Sequence, residues 1–235
     1  MNIRIIFLLM TSLFHAGNAL AVSAVTQNIL NNLKLPPGFK ISAYAENIFK
    51  ARSMALGDNG IVFVGSTDAG KVYALQDANR DNVAEKVYVI AQGLKLPTGV
   101  AYRNGSLFVG TVNRVLRYDN IVNRLSNPPA PVTVSSALPT ETHHGWRYLR
   151  FGPDGKLYIS IGSPCNVCDI TKSPYVPMHG TIMRMDPSAS NKEIIIKGVR
   201  NSVGFDWNPQ NNALFFTDNG RDWLGDTIPY EELNR

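Results

Sequence analysis

Two adjacent histidines stand in a dense polar segment, Glu141–Arg147. The pKa of an imidazole lies near neutrality, so His143 or His144 could act as a general base that accepts a proton from a substrate hydroxyl. The alternative is an ordinary loop histidine that is only hydrogen-bonded in place. The segment leads directly into Tyr148–Phe151, whose aromatic and apolar residues predict a short strand. The sequence therefore offers a candidate base at the entrance of a strand.

A second cluster places the guanidinium of Arg200 next to the amide of Asn201. Arginine donates two parallel hydrogen bonds from a planar fork, which suits the recognition of a carboxylate or an oxyanion. A surface arginine that only forms a salt bridge is the alternative.

Two further loops are rich in oxygen ligands for a hard cation such as calcium. The first is Thr217–Asp226, in which aspartate, asparagine and glycine are dense. The second is Asp77–Asn82, followed by Glu85, whose D-x-N-x-D spacing is similar to a calcium loop. Since the glycine usual at the sixth position is lacking, a solvated turn between strands is the alternative there.

The two cysteines, Cys165 and Cys168, form a single C-x-x-C pair. In an oxidising compartment this pair predicts a local disulfide. A zinc site needs more soft ligands, and attachment of a c-type haem needs histidine where Asp169 stands.

One repeated pattern must position these clusters: a turn of Asn, Asp or Gly, followed by a short apolar strand. Its four copies are Asp58–Val64, Arg103–Val109, Pro153–Ile159 and Asn211–Phe216. The turn residues tolerate positive φ, which a tight hairpin requires. The copies recur roughly every 50 residues, a length typical of the blades of a β-propeller. A β-sandwich, which also has many short strands, is the alternative.

Partner strands are predicted at Lys71–Leu75, Arg114–Tyr118 and Gly180–Met185. Upstream, we expect a helical lead-in around Thr26–Leu33, a turn at Leu35–Gly38 and a strand at Phe39–Tyr44. The fourth repeat reaches Arg235 without a completed sheet. The sequence thus predicts an all-β protein that covers roughly the first three to four blades of a propeller and is truncated.

The N-terminal residues resemble a secretory leader. Arg4 precedes an apolar run of about ten residues, and Ala19-Leu20-Ala21 has the pattern of a cleavage site. We therefore expect a signal peptide at 1–21, a lead-in at 22–35 and a partial propeller at 36–235. The mature protein is expected to be secreted or periplasmic and to contain no membrane span.

The net charge of the chain is mild, +5, and its basic residues form no patch interleaved with aromatics. The sequence therefore gives no indication of nucleic-acid binding.

Taken together, four segments resemble the glucose/sorbosone dehydrogenase family in their order and spacing. They are His143–Tyr158, Gly180–Arg184, Gly198–Asn201 and Thr217–Asp222, and Leu35–Phe39 is similar to the first strand of the family. The resemblance implies a six-bladed propeller that binds pyrroloquinoline quinone (PQQ) and calcium. The implied reaction is oxidation of a sugar or a sugar aldehyde, such as L-sorbosone, with an external electron acceptor.

The resemblance also implies roles for individual residues. Alignment on Phe151–Gly155 places the general base of the family on His144 and not on His143. The residues that contact the quinone fall on Arg200 and Asn201, and Arg200 would also stabilise charge on the reduced quinone. The backbone carbonyls that hold calcium fall nearest to Gly220 and Arg221.

The chain departs from the family in two respects. Where the soluble glucose enzyme has an aspartate that orients the catalytic histidine, this chain has Ser163, and Asp169 is the candidate replacement. In addition, the basic residues that grip the quinone carboxylates lie in later blades of the family. The alternative function is a non-catalytic propeller that binds a partner, or an inactive fragment.

Overall fold

A computed structural model describes residues 22–235 and divides the chain into two units, with the boundary between Ala43 and Tyr44. The predicted signal peptide, 1–21, lies outside the described residues. The described part of the first unit contains one helix, α1 (Ala24–Asn31), which begins at Ser23, whose hydroxyl accepts a hydrogen bond from the N–H of Thr26. The expected helical lead-in is thus confirmed.

The strand expected at 39–44 is wrong. The turn before it is present, since the N–H of Phe39 donates to the carbonyl of Pro36, but residues 39–44, all of them described, form no strand. The side chains of Phe39 and Ile41 are both exposed. The apolar side chains of this segment therefore form no buried face that could stabilise its pairing with another strand.

The second unit consists of four antiparallel sheets, in each of which neighbouring strands follow one another along the chain. The first sheet contains β1 (Ala51–Leu56), β2 (Val62–Ser66), β3 (Val72–Gln76) and β4 (Lys86–Ala91). The second contains β5 (Gly99–Arg103), β6 (Ser106–Gly110), β7 (Val115–Tyr118) and β8 (Val132–Ser135). The third contains β9 (Leu149–Phe151), β10 (Leu157–Ile161), β11 (Thr181–Met185) and β12 (Glu193–Lys197). The fourth contains β13 (Phe205–Trp207), β14 (Leu214–Asp218) and β15 (Glu232–Asn234).

The predicted turns precede the second strand of each sheet. In the second sheet, Arg103 pairs with Ser106 across a two-residue turn in which Asn104 and Gly105 both have positive φ. This conformation twists in the sense that a hairpin needs, and asparagine and glycine adopt it at the lowest cost. The turn predictions and the partner strands β3, β7 and β11 are confirmed.

Consecutive sheets pack face to face through apolar clusters. Phe63 and Val72 pack against Leu107 between the first two sheets, and Phe108 packs with Leu157 between the second and third. The third and fourth sheets share a cluster that includes Ile182 and Phe216. Fully burying each such side chain contributes about 1.5–3 kcal/mol. Four meander sheets packed in series are the blades of a propeller.

The first strands of consecutive sheets lie beside one another, β1 with β5 and β5 with β9. Because each sheet is an antiparallel meander, the loop that enters its first strand lies at the same edge as the loop between its second and third strands. The segments before β9 and β13 therefore share one edge with the β10–β11 and β14–β15 loops. Within residues 22–235, none of the helices is long and apolar enough to cross a bilayer.

Candidate active site

His144, in the loop before β9, is half-buried and held by Ser163 at the end of β10. Its Nδ1 lies 2.9 Å from the carbonyl oxygen of Ser163 and 3.3 Å from the Ser163 hydroxyl, which itself donates to the carbonyl of Cys165. A carbonyl oxygen only accepts, so Nδ1 carries the proton and Nε2 keeps its lone pair. His143 is exposed, with its ring centroid 4.0 Å from that of His144. The half-buried histidine is therefore the one with a fixed tautomer.

The surroundings of His144 favour its neutral form. Burial lowers its pKa below the ordinary value of 6.5, and the charges of His143 and Arg200 act in the same direction. The hydrogen bond with Ser163 and the charge of Asp222 oppose this effect without reversing it. At neutral pH the imidazole is therefore uncharged and able to accept a proton.

Arg147 fixes the loop that carries His144. Its guanidinium is almost completely buried and donates to the carbonyls of Val112 (2.8 Å), Pro139 (3.0 Å) and His144 (3.4 Å). Burial lowers the pKa of Arg147 to about 10, against the opposing effect of Glu141, so the group stays charged at neutral pH. One cation thus satisfies three loop carbonyls, and sequence reasoning did not predict this role.

Arg200 is only 17% exposed, and its guanidinium is held by two loops. Nε and Nη2 donate to the carbonyl (3.3 Å) and the side-chain oxygen (2.7 Å) of Asn166, while Nη1 donates to the carbonyl of Asn219 (3.0 Å). Nη2 also forms an ion pair with Asp222 at 3.0 Å. The side chain is therefore a structural tie between the β10–β11 and β14–β15 loops, and it is more than a surface ion pair.

Asp218, the last residue of β14, orders the Arg200–Asn201 segment. Its carboxylate accepts hydrogen bonds from the backbone N–H groups of Arg200 (3.0 and 2.9 Å) and Asn201 (2.7 Å). The N–H of Asn219 donates to the carbonyl of Asn201 at 3.1 Å. Sequence reasoning included Asp218 only as an oxygen ligand, although a carboxylate at a strand end beside a loop is a signal for such backbone capping.

The His144 and Asn201 segments meet over Gly162. A Cβ atom on Gly162 would lie 2.5 Å from the Cβ of His144 and 3.0 Å from Oδ1 of Asn201. The N–H of Ser163 donates to the carbonyl of Arg200 at 2.8 Å. The structure therefore brings together His144, Arg200 and Asn201, the three residues that the sequence predicted for catalysis and quinone contact.

Gly220 and Arg221, the candidate calcium residues, lie in the β14–β15 loop beside Arg200. The N–H of Gly220 donates to the carboxylate of Glu231 at 3.0 Å. The neighbouring Asn219 carbonyl and Asp222 carboxylate both bind the Arg200 guanidinium. The loop thus offers oxygen ligands for a cation, but two of them already bind the guanidinium of Arg200.

The aspartate-rich loop between β3 and β4 lies at the opposite edge of its sheet. The carboxylate oxygens of Asp77, Asp81 and Glu85 lie within 4.8 Å of one another. Asp77 accepts hydrogen bonds from the N–H groups of Arg80, Asp81 and Asn82, and Glu85 accepts one from Ala78. These carboxylates shape the inter-strand turn and do not reach the His144 site.

Cys165 and Cys168 form a disulfide, as predicted. Asp169, the candidate replacement for the missing orienting aspartate, caps the short turn Ile170–Lys172 and accepts from the N–H of Thr171. It therefore does not orient His144, and the backbone of Ser163 supplies the acceptor.

A cavity of about 340 Å³ opens at the beginnings of the first strands, where the guanidinium of Arg52 lies 4.6 Å above the ring of Trp146. Its lining includes Tyr148 and Val203, which follow the His144 and Asn201 segments, but none of the predicted site residues themselves. The cavity is therefore adjacent to the candidate site along the chain and does not contain its polar groups.

Residues 25–235 match the family described as "Domain of unknown function (DUF7133)", and the chain belongs to this family. An "Uncharacterized protein" of Borreliella burgdorferi is 30% identical over 239 residues, an alignment that covers 97% of this chain and 59% of that protein. The chain thus spans about three-fifths of the length of this curated relative.

The solved structures similar to this chain include two named as sugar dehydrogenases. The PQQ domain of a pyranose dehydrogenase from Coprinopsis cinerea has a TM-score of 0.69 and 14% identity, over 86% of this chain and 51% of that one. A calcium structure of a Carbohydrate-Active Enzymes family AA12 protein from Trichoderma reesei has a TM-score of 0.66 and 25% identity, over 79% of this chain and 51% of that one. The PQQ-bound aldose sugar dehydrogenase from Streptomyces coelicolor has a TM-score of 0.64 and 20% identity, over 83% of this chain and 62% of that one. These likenesses establish the all-β propeller fold.

Proposed function

We propose that this chain carries the catalytic base of a PQQ-dependent dehydrogenase that oxidises a sugar or a sugar aldehyde. The observation that supports the proposal most is the tautomer of His144. Its Nδ1–H is held by the Ser163 carbonyl, which leaves Nε2 unprotonated, and the Cβ of His144 and Oδ1 of Asn201 both lie next to Gly162. The similarity to solved structures named as PQQ-containing and aldose-oxidising enzymes agrees with this chemistry.

In the proposed reaction, His144 Nε2 accepts the proton of a substrate hydroxyl. Arg200 and Asn201 present a guanidinium and an amide to an electron-rich oxygen of the cofactor, where fixed donors stabilise negative charge. PQQ, when bound, supplies the hydride acceptor, and calcium supplies a Lewis acid for its carbonyl groups. The protein itself orients the base, holds the donors and receives the proton.

The residues present fit a quinone. Arg200 uses four hydrogen bonds of its own, to Asn166, Asn219 and Asp222, and a guanidinium has five N–H donors. One donor remains for an oxyanion, and the exposed Asp222 can give way to another anion. For calcium, the carbonyls near Gly220 and Arg221 and the carboxylates of the same loop are ligands of the appropriate type.

We propose a ring of six blades, of which the four sheets described here are part, within the domain boundaries 1–21, 22–35 and 36–235. The protein would be exported to the periplasm or secreted, and it would transfer electrons to an external acceptor. The specific glucose/sorbosone dehydrogenase activity belongs to this proposal as well.

A non-catalytic binding protein is the second candidate, favoured by one observation. The guanidinium of Arg200 is engaged by the protein itself, as expected for a purely structural arginine. The two candidates differ in whether the site binds the quinone.

Titration of the protein with PQQ in the presence of calcium, followed by calorimetry, tests the proposal. We expect saturable binding that Arg200→Ala weakens by about 10- to 100-fold, since a charge-assisted pair is lost. The matched control is Arg150→Ala, because Arg150 is also an ion-paired arginine but lies on β9, where it pairs with Asp206 of β13 at 3.0 Å. Absence of binding, or equal binding by both variants, would favour the non-catalytic candidate.

A further inference from the structure

We propose that Glu141 and His179 form a positioning pair, which holds the peptide group that precedes the carbonyl orienting His144. As a statement about catalysis it rests on the proposed function, whereas the orientation of His144 can be measured without any activity. His179 precedes β11, Glu141 lies in the His144 loop, and neither has a role in the proposed chemistry.

His179 and His144 hold two successive carbonyls at the end of β10. His179 is only 4% exposed, and its Nδ1 lies 3.0 Å from the carbonyl oxygen of Gly162. Nδ1 must carry the proton there, because a carbonyl oxygen only accepts. The next carbonyl, that of Ser163, accepts from Nδ1 of His144 at 2.9 Å. The two imidazoles are thus coupled through one residue of backbone.

The peptide group between Gly162 and Ser163 is held from both sides. Its carbonyl accepts from His179, and its N–H donates to the carbonyl of Arg200 at 2.8 Å. Because a peptide group is planar, these two bonds fix its rotation, and the Ser163 carbonyl that accepts from His144 follows in the next peptide group. If the His179 donor is lost, the buried Gly162 carbonyl loses its partner, and rotation of the plane becomes the way to regain one.

Glu141 completes the arrangement from the other side of the His179 ring. Nε2 of His179 and Oε2 of Glu141 are 3.6 Å apart, and both atoms are buried without a hydrogen-bond partner among the described residues. With the proton of a neutral ring on Nδ1, two lone pairs would face each other. At 3.6 Å the two buried polar atoms are in close contact without forming a hydrogen bond. The pair therefore ties the loop of His144 to the strand end that orients it.

Two substitutions at one position separate the positioning role from mere space filling. The amide nitrogen of His179→Asn can replace Nδ1 as donor to Gly162, whereas that of His179→Gln can replace Nε2 and faces Glu141. We expect His179→Asn to keep the Nδ1–H tautomer of His144, observed by long-range ¹H–¹⁵N NMR of the histidine rings. We expect His179→Gln to give a mixture of tautomers.

In the quinone-loaded protein, His179→Gln should lower kcat by about 10- to 100-fold with KM unchanged, the usual effect of losing an orienting partner. His179→Asn should stay within about threefold of the wild type. Equal NMR spectra for both variants would overturn the proposal, whatever the activity. If the two variants differ in their His144 tautomers as expected but the wild-type protein is inactive, that result would count against the proposed function alone.

If His179→Gln fails to fold by circular dichroism, the Glu141 position gives a second test. Glu141→Gln can donate its amide N–H to His179, and we expect the wild-type signature of His144. Glu141→Leu cannot, and it leaves Nε2 of His179, an atom that His179→Asn lacks, buried against an apolar side chain. We therefore expect the ring to turn away from Gly162 and the mixed signature to appear. Identical signatures for these two variants would also overturn the pair.

Discussion

At the scale of single residues, His144 is oriented by a backbone carbonyl where the family resemblance implied an aspartate. A carbonyl fixes the tautomer without placing a full negative charge beside the ring, so it raises the pKa of the imidazole less than a carboxylate would. This explains why burial still dominates and the pKa of His144 stays below 6.5. From the sequence, Ser163 shows only that the orienting aspartate is missing. The acceptor that replaces it is the main-chain carbonyl of Ser163, which no residue type can indicate.

The first prediction concerns the dependence of kcat/KM on pH. A base is active when it is unprotonated, so activity should be constant above pH 6.5 and fall on the acid side of that value, through the lowered pKa of His144. Ser163→Asp should raise this pKa, because a carboxylate favours the charged imidazolium, and shift the acid limb to higher pH.

Asp169→Asn is the control for that shift, since Asp169 caps a turn and does not reach His144. Its acid limb should coincide with that of the wild type. An acid limb that stays in place, or moves to lower pH, in Ser163→Asp would show that the side chain at 163 does not face Nδ1.

At the scale of elements, the candidate site is a consequence of the meander. Loops before β9 and β13 meet the β10–β11 and β14–β15 loops at one edge, and backbone hydrogen bonds from Ser163 and Asn219 join them to the Arg200–Asn201 segment. His144 thus lies on a different loop from Arg200 and Asn201, and a small displacement of one loop changes the distance between base and guanidinium.

The second prediction tests the closeness of these loops at Gly162. In Gly162→Ala the new Cβ would lie 2.5 Å from the Cβ of His144, so the base must move. We expect kcat to fall by about 100-fold, the effect of a displacement of roughly 1 Å at a reacting group. Gly204→Ala, just before β13, meets no atom within 4 Å and should keep wild-type kcat. Equal activity of the two variants would contradict the described packing.

The sequence predicted some elements better than others, for physical reasons. Turns such as Asn104–Gly105 carry their conformation in the residue types, so the hairpins could be placed. The strand β1 (Ala51–Leu56) was not predicted, because its exposed and half-buried residues lack the apolar run of the central strands. The roles of Asp218, Arg147 and His179 depend on contacts between loops distant in sequence, which no local pattern reveals.

At the scale of the whole second unit, apolar clusters join each sheet to the next, but the first and last sheets each keep an exposed apolar surface. Met54 and Leu56 on β1 are exposed, as are Tyr230 and Trp223 in the loop before β15, and Trp223 is 93% exposed. Patches of this kind mark surfaces that other protein segments cover. The proposed six-bladed ring would supply those segments.

The third prediction concerns this surface in the 235-residue chain. The double variant Met54→Gln, Leu56→Gln should bind less of a hydrophobic dye such as ANS and self-associate less than the wild type. Val132→Gln on β8, an isolated exposed position, should change neither property. The dye fluorescence and sedimentation of the three proteins provide the measurement, and a double variant that behaves as the wild type would contradict the interpretation.

His144, and not its neighbour, is proposed as the base of a quinone-dependent sugar oxidation. The most direct test is the turnover of an aldose or a sugar aldehyde with an artificial electron acceptor, by protein loaded with PQQ and calcium. His144→Ala should lower kcat by about two to four orders of magnitude, the usual contribution of a positioned general base. His143→Ala, which removes the exposed ring 4.0 Å away, should change kcat by only a few-fold. Activity that survives His144→Ala but is lost in His143→Ala would contradict the account.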